Sequence, residues 1–261
     1  MAETLEGIID SAAELGASVV ISKASRAPHR TRNLVSSGRR AVIAVTSVYT
    51  TAHLNELARS GLPLVVLDPL HLPDSRVNSV GTTNFAGGLA ATQYLLSLGH
   101  RHVAYLGGPA MAVCNQARMH GYRAAMEAEG VQVSDTCLRS GEFTYETGSL
   151  GPTALLGLHE PPTAIFAGND EIAVGAIEAA RALGMRVPED LSVVGFDDTS
   201  LAEIASPPLT TVRQPLREMG GAALRTALRL ANGEKVGSHH IELATELAVR
   251  ASTAPPRVEA L

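Results

Sequence analysis

The chain has 261 residues, 45% hydrophobic and 18% charged, which excludes a largely disordered chain and allows one large domain or two medium lobes. Lys and Arg number 21 against 26 Asp and Glu, and the net charge of −5 excludes the basic face of a chain that grips nucleic acid by itself. No run approaches the roughly 20 apolar residues of a membrane span, and Met1 to Asp10 lacks the basic start of a secretory signal. Aromatics are few, so the cores must be built from Ala, Val, Leu and Ile. Cys114 and Cys137 read as free thiols of a reducing cytoplasm.

In chain order, Leu5, Ile8, Ile9, Ala12 and Ala13 follow helical spacing up to a stop at Gly16. Ser18–Ser22 and Ala41–Val45 are β-branched or apolar runs that predict strands. Ala52–Ser60 predicts a helix closed by Gly61, Leu64–Leu67 a strand, Ala86–Leu98 a helix closed by Gly99, and His102–Leu106 a strand. After Gly107-Gly108-Pro109 the alternation restarts. Helices are predicted from about Asn115 to Glu129, over Thr147–Leu158 and over Glu171–Leu183. Strands are predicted near Thr136–Ser140, over Thr163–Ala167 and over Ser192–Phe196. Pro207-Pro208 leads into a strand at Leu209–Val212, then a helix over Leu216–Asn232 and short strands near Ile241 and Leu247. Short apolar strands without in–out alternation, interleaved with helices, predict doubly wound parallel sheets covered on both faces.

Ligands of such sheets sit beyond the carboxyl ends of the strands. The residues there are Thr46 and Ser47, Asp68, Gly107-Gly108, Gly168-Asn169-Asp170 and Asp197-Asp198, a polar set suited to hydroxyl groups. One of Asn169 and Asp170 is expected to cap the following helix, leaving the other to face a ligand. The Asp197-Asp198 pair could serve acid–base or metal chemistry. No His or Cys stands near it in sequence to complete a metal set. His100, His102, His239 and His240 read as structural or solvated, and neither a nucleophile elbow nor a phosphate loop is present. Neither a cofactor nor a metal is expected. Arg118, on the first helix after the glycine break, can fork two hydrogen bonds to adjacent hydroxyls.

Five stretches in order carry a family resemblance: Leu98-Gly-His-Arg-His-Val-Ala-Tyr-Leu-Gly-Gly-Pro109, Ala117-Arg-Met-His-Gly-Tyr-Arg-Ala-Ala-Met126, Pro162-Thr-Ala-Ile-Phe-Ala-Gly-Asn-Asp170, Val187-Pro-Glu-Asp-Leu-Ser-Val-Val-Gly-Phe-Asp-Asp198 and Ser206-Pro-Pro-Leu-Thr-Thr-Val-Arg-Gln-Pro215. Over nearly its whole length the chain resembles the effector-binding domain of LacI-type bacterial transcription regulators. Val80-Gly-Thr-Thr-Asn-Phe-Ala-Gly-Gly88 and Cys114 resemble the actinobacterial xylose-repressor branch.

The resemblance implies a periplasmic-binding-protein-like α/β fold: two doubly wound parallel-sheet lobes joined by three crossovers, near Gly108, near Gln214 and between Gly237 and His240. The lobes would be 1–107 plus 214–237 and 108–213 plus 238–252, with a tail at 253–261. It assigns Arg118, Asn169, Asp197 and Gln214 to sugar hydroxyls, Phe143 to the sugar's apolar face, and Asp68 and Thr46 to first-lobe pocket positions. The family's helix-turn-helix head, its hinge helix and the first strand are not in this sequence, and Thr83 stands where many members have Asp. The implied function is a non-enzymatic, cytoplasmic, dimeric sugar sensor: a mono- or disaccharide in the cleft between the lobes would shift operator affinity of the missing head. Two other readings stay open, an exported sugar-binding protein of a transporter and an enzyme on a doubly wound sheet.

Overall fold

The computed structural model describes residues 2–22, 37–45, 56–57, 59–69 and 77–257. Thr46, Ser47 and most of the helix expected over 52–60 lie outside these residues. The elements are α1 (Ala2–Glu14), β1 (Val42–Val45), β2 (Leu64–Leu67), β3 (Asn78–Thr82), α2 (Asn84–Ser97), β4 (Val103–Gly107), α3 (Val113–Ala128), β5 (Leu138–Ser140), α4 (Tyr145–Leu156), β6 (Ala164–Ala167), α5 (Asp170–Ala182), β7 (Ser192–Asp197), α6 (Ser200–Ile204), β8 (Thr210–Arg213), α7 (Leu216–Ala231), β9 (His240–Leu243) and β10 (Glu246–Ala248).

The chain divides into two units, 1–82 with 215–244 and 83–214 with 245–261. The first unit holds a parallel sheet in the order β1-β2-β3-β9. β2 is buried along its whole length, as a central strand covered on both faces must be. α1 and α7 pack on one face, where Ile8, Ala12, Met219, Ala223 and Ala227 meet Val65, Leu67 and Val80. The run at 18–22 forms no strand: no described strand pairs with it, and Val19, Val20 and Ile21 are 38%, 58% and 59% exposed.

The second unit holds a six-stranded sheet in the order β10-β8-β7-β6-β4-β5, parallel except for the antiparallel edge strand β10. The apolar stripe of α5, Ile172, Ala173, Ala176, Ile177 and Ala180, is buried against Leu106, Ile165 and Val193 on one face. On the other face Ala91, Leu95 and Leu96 of α2 and Tyr122, Ala125 and Met126 of α3 cover Tyr105, Phe166, Val194 and Phe196.

These units differ from the expected lobes at two of the three crossovers. The first falls at 82/83 and not near Gly108, because β4 pairs with β5 and β6 and α2 packs on α3. The third falls at 244/245, because β9 pairs with β3 in the first unit while only β10 joins the second. A further boundary between the units falls at 214/215. Strand β3 is an addition, since Asn78-Ser79-Val80-Gly81-Thr82 has too few apolar residues to stand out. Helix α6 is likewise new.

Candidate functional site

The carboxyl ends of β4, β6, β7 and β8 gather the polar residues of the second unit. Arg118 reaches this edge from α3. That helix lies so close to α2 that a Cβ on Gly121 would sit 2.2 Å from the Phe85 carbonyl oxygen, and one on Gly88 2.3 Å from the carbonyl oxygen of Arg118 itself. Only glycine permits this approach.

The Arg118 side chain is 3% exposed and held from four sides. Its Nε donates to Asn84 Oδ1 at 2.8 Å and its Nη1 to the Gly168 carbonyl at 2.6 Å. Nη1 also lies 3.6 Å from Asp197 Oδ1. The guanidinium carbon stands 3.7 Å from the centroid of the Phe196 ring and 5.8 Å from that of Phe143. A buried guanidinium survives only when its donors are satisfied and its charge balanced. Here two carbonyl-type acceptors, one carboxylate and two aromatic faces share that task.

Asp197 ends β7 with its side chain 23% exposed, and its Oδ1 accepts from Gln214 Nε2 at 2.5 Å. The backbone there is unusual: Asp197 has φ +113° and Asp198 φ +56°, two successive non-glycine residues in a region L side chains rarely adopt. Asp198 turns the other way, to Arg213 Nε at 2.6 Å and Arg250 Nη1 at 2.7 Å. The two adjacent carboxylates therefore serve different cations. Among the described residues, no three His, Cys, Asp or Glu converge as a metal site would require.

Asn169 caps α5, its Oδ1 accepting the Ile172 amide at 2.9 Å. Its neighbour Asp170 is 1% exposed and accepts from Thr199 and Thr211. Burial, and then the nearby Asp197 charge, push the Asp170 carboxyl well above the ordinary carboxylate range. Phe143 lies over Gly108, where a Cβ would come within 2.4 Å of its ring.

Of the expected site residues, Arg118, Asp197, Gln214 and Phe143 thus come together in the second unit, with Asn169 beside them but committed to its cap. Asp68 directly follows β2 in the first unit, with φ +44°. Thr46 lies outside the described residues. Asn84 and Phe196 had no sequence signal of their own and act by touching Arg118 across the fold. Asp170, expected from its strand-end position to face a ligand once Asn169 caps the helix, is instead buried against Thr199 and Thr211.

Residues 92–253 match the family described as a periplasmic binding protein-like domain. The chain is 42% identical over 204 residues to the HTH-type transcriptional regulator DegA of Bacillus subtilis (strain 168), covering 77% of this chain and 59% of that protein. It therefore spans well under two thirds of that relative's length. Among solved structures, the transcriptional regulator CelR–cellobiose complex superposes with a TM-score of 0.89 at 33% identity, covering 96% of this chain and 78% of the other. The lac repressor dimer bound to operator and the anti-inducer ONPF superposes with a TM-score of 0.84 at 27% identity, covering 97% and 89%. The match over most of the second unit, the identity to a regulator of this kind and the shared fold together place the chain in one family: it belongs to the LacI-type bacterial transcription regulators and carries their periplasmic-binding-protein-like domain.

Proposed function

We propose that this domain is the effector sensor of a sugar-responsive transcription regulator. A small sugar binds at the Arg118–Asp197–Gln214 cluster and changes the operator affinity of a helix-turn-helix head in the whole protein. The observation that carries this is the cluster itself. A planar guanidinium, a carboxylate and a carboxamide side by side offer donors and acceptors at the spacing of neighbouring hydroxyls. The Phe143 ring beside them suits the apolar face of a pyranose. Asn169, whose Oδ1 is engaged at its cap, contributes through its amide nitrogen.

The acid, base and nucleophile arrangement of a hydrolase is not part of this reading, and neither a cofactor nor a metal is required. The solved relatives include one complexed with cellobiose and one bound to operator as a dimer, which supports a cytoplasmic, homodimeric regulator over an exported component of a transporter. Among the described residues, no helix is long and apolar enough to cross a membrane.

The test is a thermal-shift screen of the chain against D-xylose, D-glucose, maltose and cellobiose, followed by calorimetry. A ligand that binds only the folded chain raises its apparent stability by about 2.7 kcal/mol at roughly 100 times its Kd. A shift with one sugar, lost in Arg118→Ala, supports the reading. Equal shifts in Arg118→Ala and in the unsubstituted chain overturn the site.

A further inference from the structure

Asp170 opens α5 directly behind the Asp197–Asp198 turn. Its Oδ2 accepts the Thr199 amide at 2.7 Å and the Thr199 hydroxyl at 2.9 Å, and its Oδ1 accepts the Thr211 hydroxyl at 2.6 Å. Room for this carboxyl is left by Gly195 on β7, where a Cβ would lie 2.6 Å from Asp170 Oδ1. The helix cap does not explain the arrangement, since Asn169 already supplies it.

What Asp170 grips is the strained stretch of backbone. Asp197 and Asp198 both have positive φ, and such geometry persists only where the surroundings over-determine it. On its outer side the turn is held by the Asp198 ion pairs to Arg213 and Arg250 and by the Gln214 amide, which donates to the Asp197 carbonyl at 3.2 Å. On its inner side it is held by Asp170 through Thr199, while Thr211 ties the same carboxyl to β8, the strand that leads to Gln214.

We propose that Asp170 is a positioning residue: through Thr199 and Thr211 it fixes the strained Asp197–Asp198 turn and so aims Asp197 Oδ1 at Arg118 and Gln214. The proposal rests on the reading of Asp197 as an effector contact and adds the group that sets its direction. Asparagine is the informative replacement. Its Oδ1 accepts both Thr199 bonds and its Nδ2 donates to the Thr211 hydroxyl, so the geometry survives while the negative charge goes. Alanine removes all three bonds.

The test is amide exchange and proton NMR on the sugar-free 261-residue chain at pH 8. In Asp170→Ala the Thr199 amide exchanges about tenfold faster, while the Ile172 amide keeps its protection. In Asp170→Asn protection at Thr199 is retained, and its amide proton moves upfield as a charged acceptor becomes neutral. Unchanged Thr199 exchange in Asp170→Ala overturns the proposal. So does a loss of protection that is equal at Thr199, Ile172 and Val194, which marks a general stabiliser. Should Asp170→Ala not fold, the Asp170→Asn shift decides: an unmoved Thr199 proton overturns the proposal.

A second arm measures D-xylose and cellobiose binding by calorimetry. For whichever sugar the unsubstituted chain binds, affinity falls about tenfold in Asp170→Ala and is retained in Asp170→Asn. If it binds neither, the effector reading fails for these two sugars, and the amide measurements still decide the role of Asp170.

Discussion

The Arg118 guanidinium stacks on the Phe196 ring, 3.7 Å from its centroid, one residue before the Asp197 carboxylate that faces the same arginine. β7 thus supplies an aromatic floor and an anionic partner from adjacent positions, with Phe196 wholly buried. Replacing Phe196 by Leu keeps the apolar volume approximately and removes the floor. A desolvated cation–π contact contributes about 1–2 kcal/mol, so urea denaturation of Phe196→Leu is expected to show a loss of that order, plus a packing penalty. Sugar affinity in calorimetry falls with it, because the guanidinium loses the surface that keeps it flat. Full affinity in Phe196→Leu would separate the stacking from the site.

Arg118→Lys tests whether charge alone suffices. A lysine ammonium is a single point donor and cannot reach Asn84 Oδ1, the Gly168 carbonyl and Asp197 Oδ1 together. Leaving a buried acceptor unpaired costs about 1–3 kcal/mol. Arg118→Lys is therefore expected to lower stability by roughly that amount and to abolish measurable sugar binding, close to the effect of Arg118→Ala. Retained binding in the lysine variant would show that only the positive charge matters.

Asp170 and His100 impose opposite pH dependences. The folded-state pKa of Asp170 is raised, to about 7, by burial and then by Asp197. Its contribution to stability is therefore greatest below the ordinary carboxylate pKa and is lost as pH rises toward neutrality. In urea titrations across pH 4–8, the stability of Asp170→Asn relative to the unsubstituted chain should climb with pH. A flat difference contradicts the assignment.

His100 is 1% exposed, and burial lowers its pKa. Its Nε2 lies 2.9 Å from the Ala254 carbonyl and its Nδ1 2.8 Å from Thr163 Oγ1, so the neutral ring that burial favours carries its proton on Nε2. A depressed histidine pKa gives stability that is present above the unfolded value and lost as pH falls through the folded one. The bond holds the segment Ser252–Ala254 against β7, where Ser252 Oγ also donates to the Val193 carbonyl. His100→Ala is expected to lower stability at pH 8 by about 1–3 kcal/mol, with faster amide exchange at Ala254, and to remove this part of the acid sensitivity. Undiminished protection of Ala254 would show that the serine bonds hold the segment alone.

The legible and illegible parts of this chain divide on the range of the interactions involved. The stripe Ile172–Ala180 and the run Thr163–Ala167 announce a helix and a strand because their signal is local. Nothing local says which sheet β4 or β9 joins, since any apolar strand can pair with any parallel edge. The unit boundaries at 82/83 and 244/245 therefore carry no mark in the local sequence. Ser18–Ser22 has strand composition, but a strand exists only by pairing, and the segment pairs with none of the described strands. Within the candidate site, Asp197 is marked by its strand end and Arg118 by its helix after the glycine break, while Gln214 and Phe143 are marked by the family resemblance alone. Asn84 and Phe196 are not legible, because each contributes by a contact with Arg118 from 34 or more positions away, and neither is the inward turn of Asp170 to Thr199, 29 positions away.

The close contact between α2 and α3 delivers Arg118 to the site. Gly121 lies one turn beyond Arg118 on α3, and its missing side chain lets α3 press on the α2 backbone at Phe85. A methyl group there meets a carbonyl oxygen at 2.2 Å and the Leu89 amide nitrogen at 2.6 Å, neither of which can rotate away. The helices must separate, and overpacking of this kind costs about 1–3 kcal/mol despite the higher helix propensity of alanine. Separation also moves Arg118 relative to Asn84, since α2 carries the acceptor and α3 the donor. Gly121→Ala is therefore expected to lose stability and sugar affinity together, whereas Gly130→Ala, at a helix end with open space around it, loses only the local cost of its positive φ. A Gly121→Ala chain with unchanged affinity in calorimetry would show that the guanidinium keeps its place independently of the α2–α3 spacing.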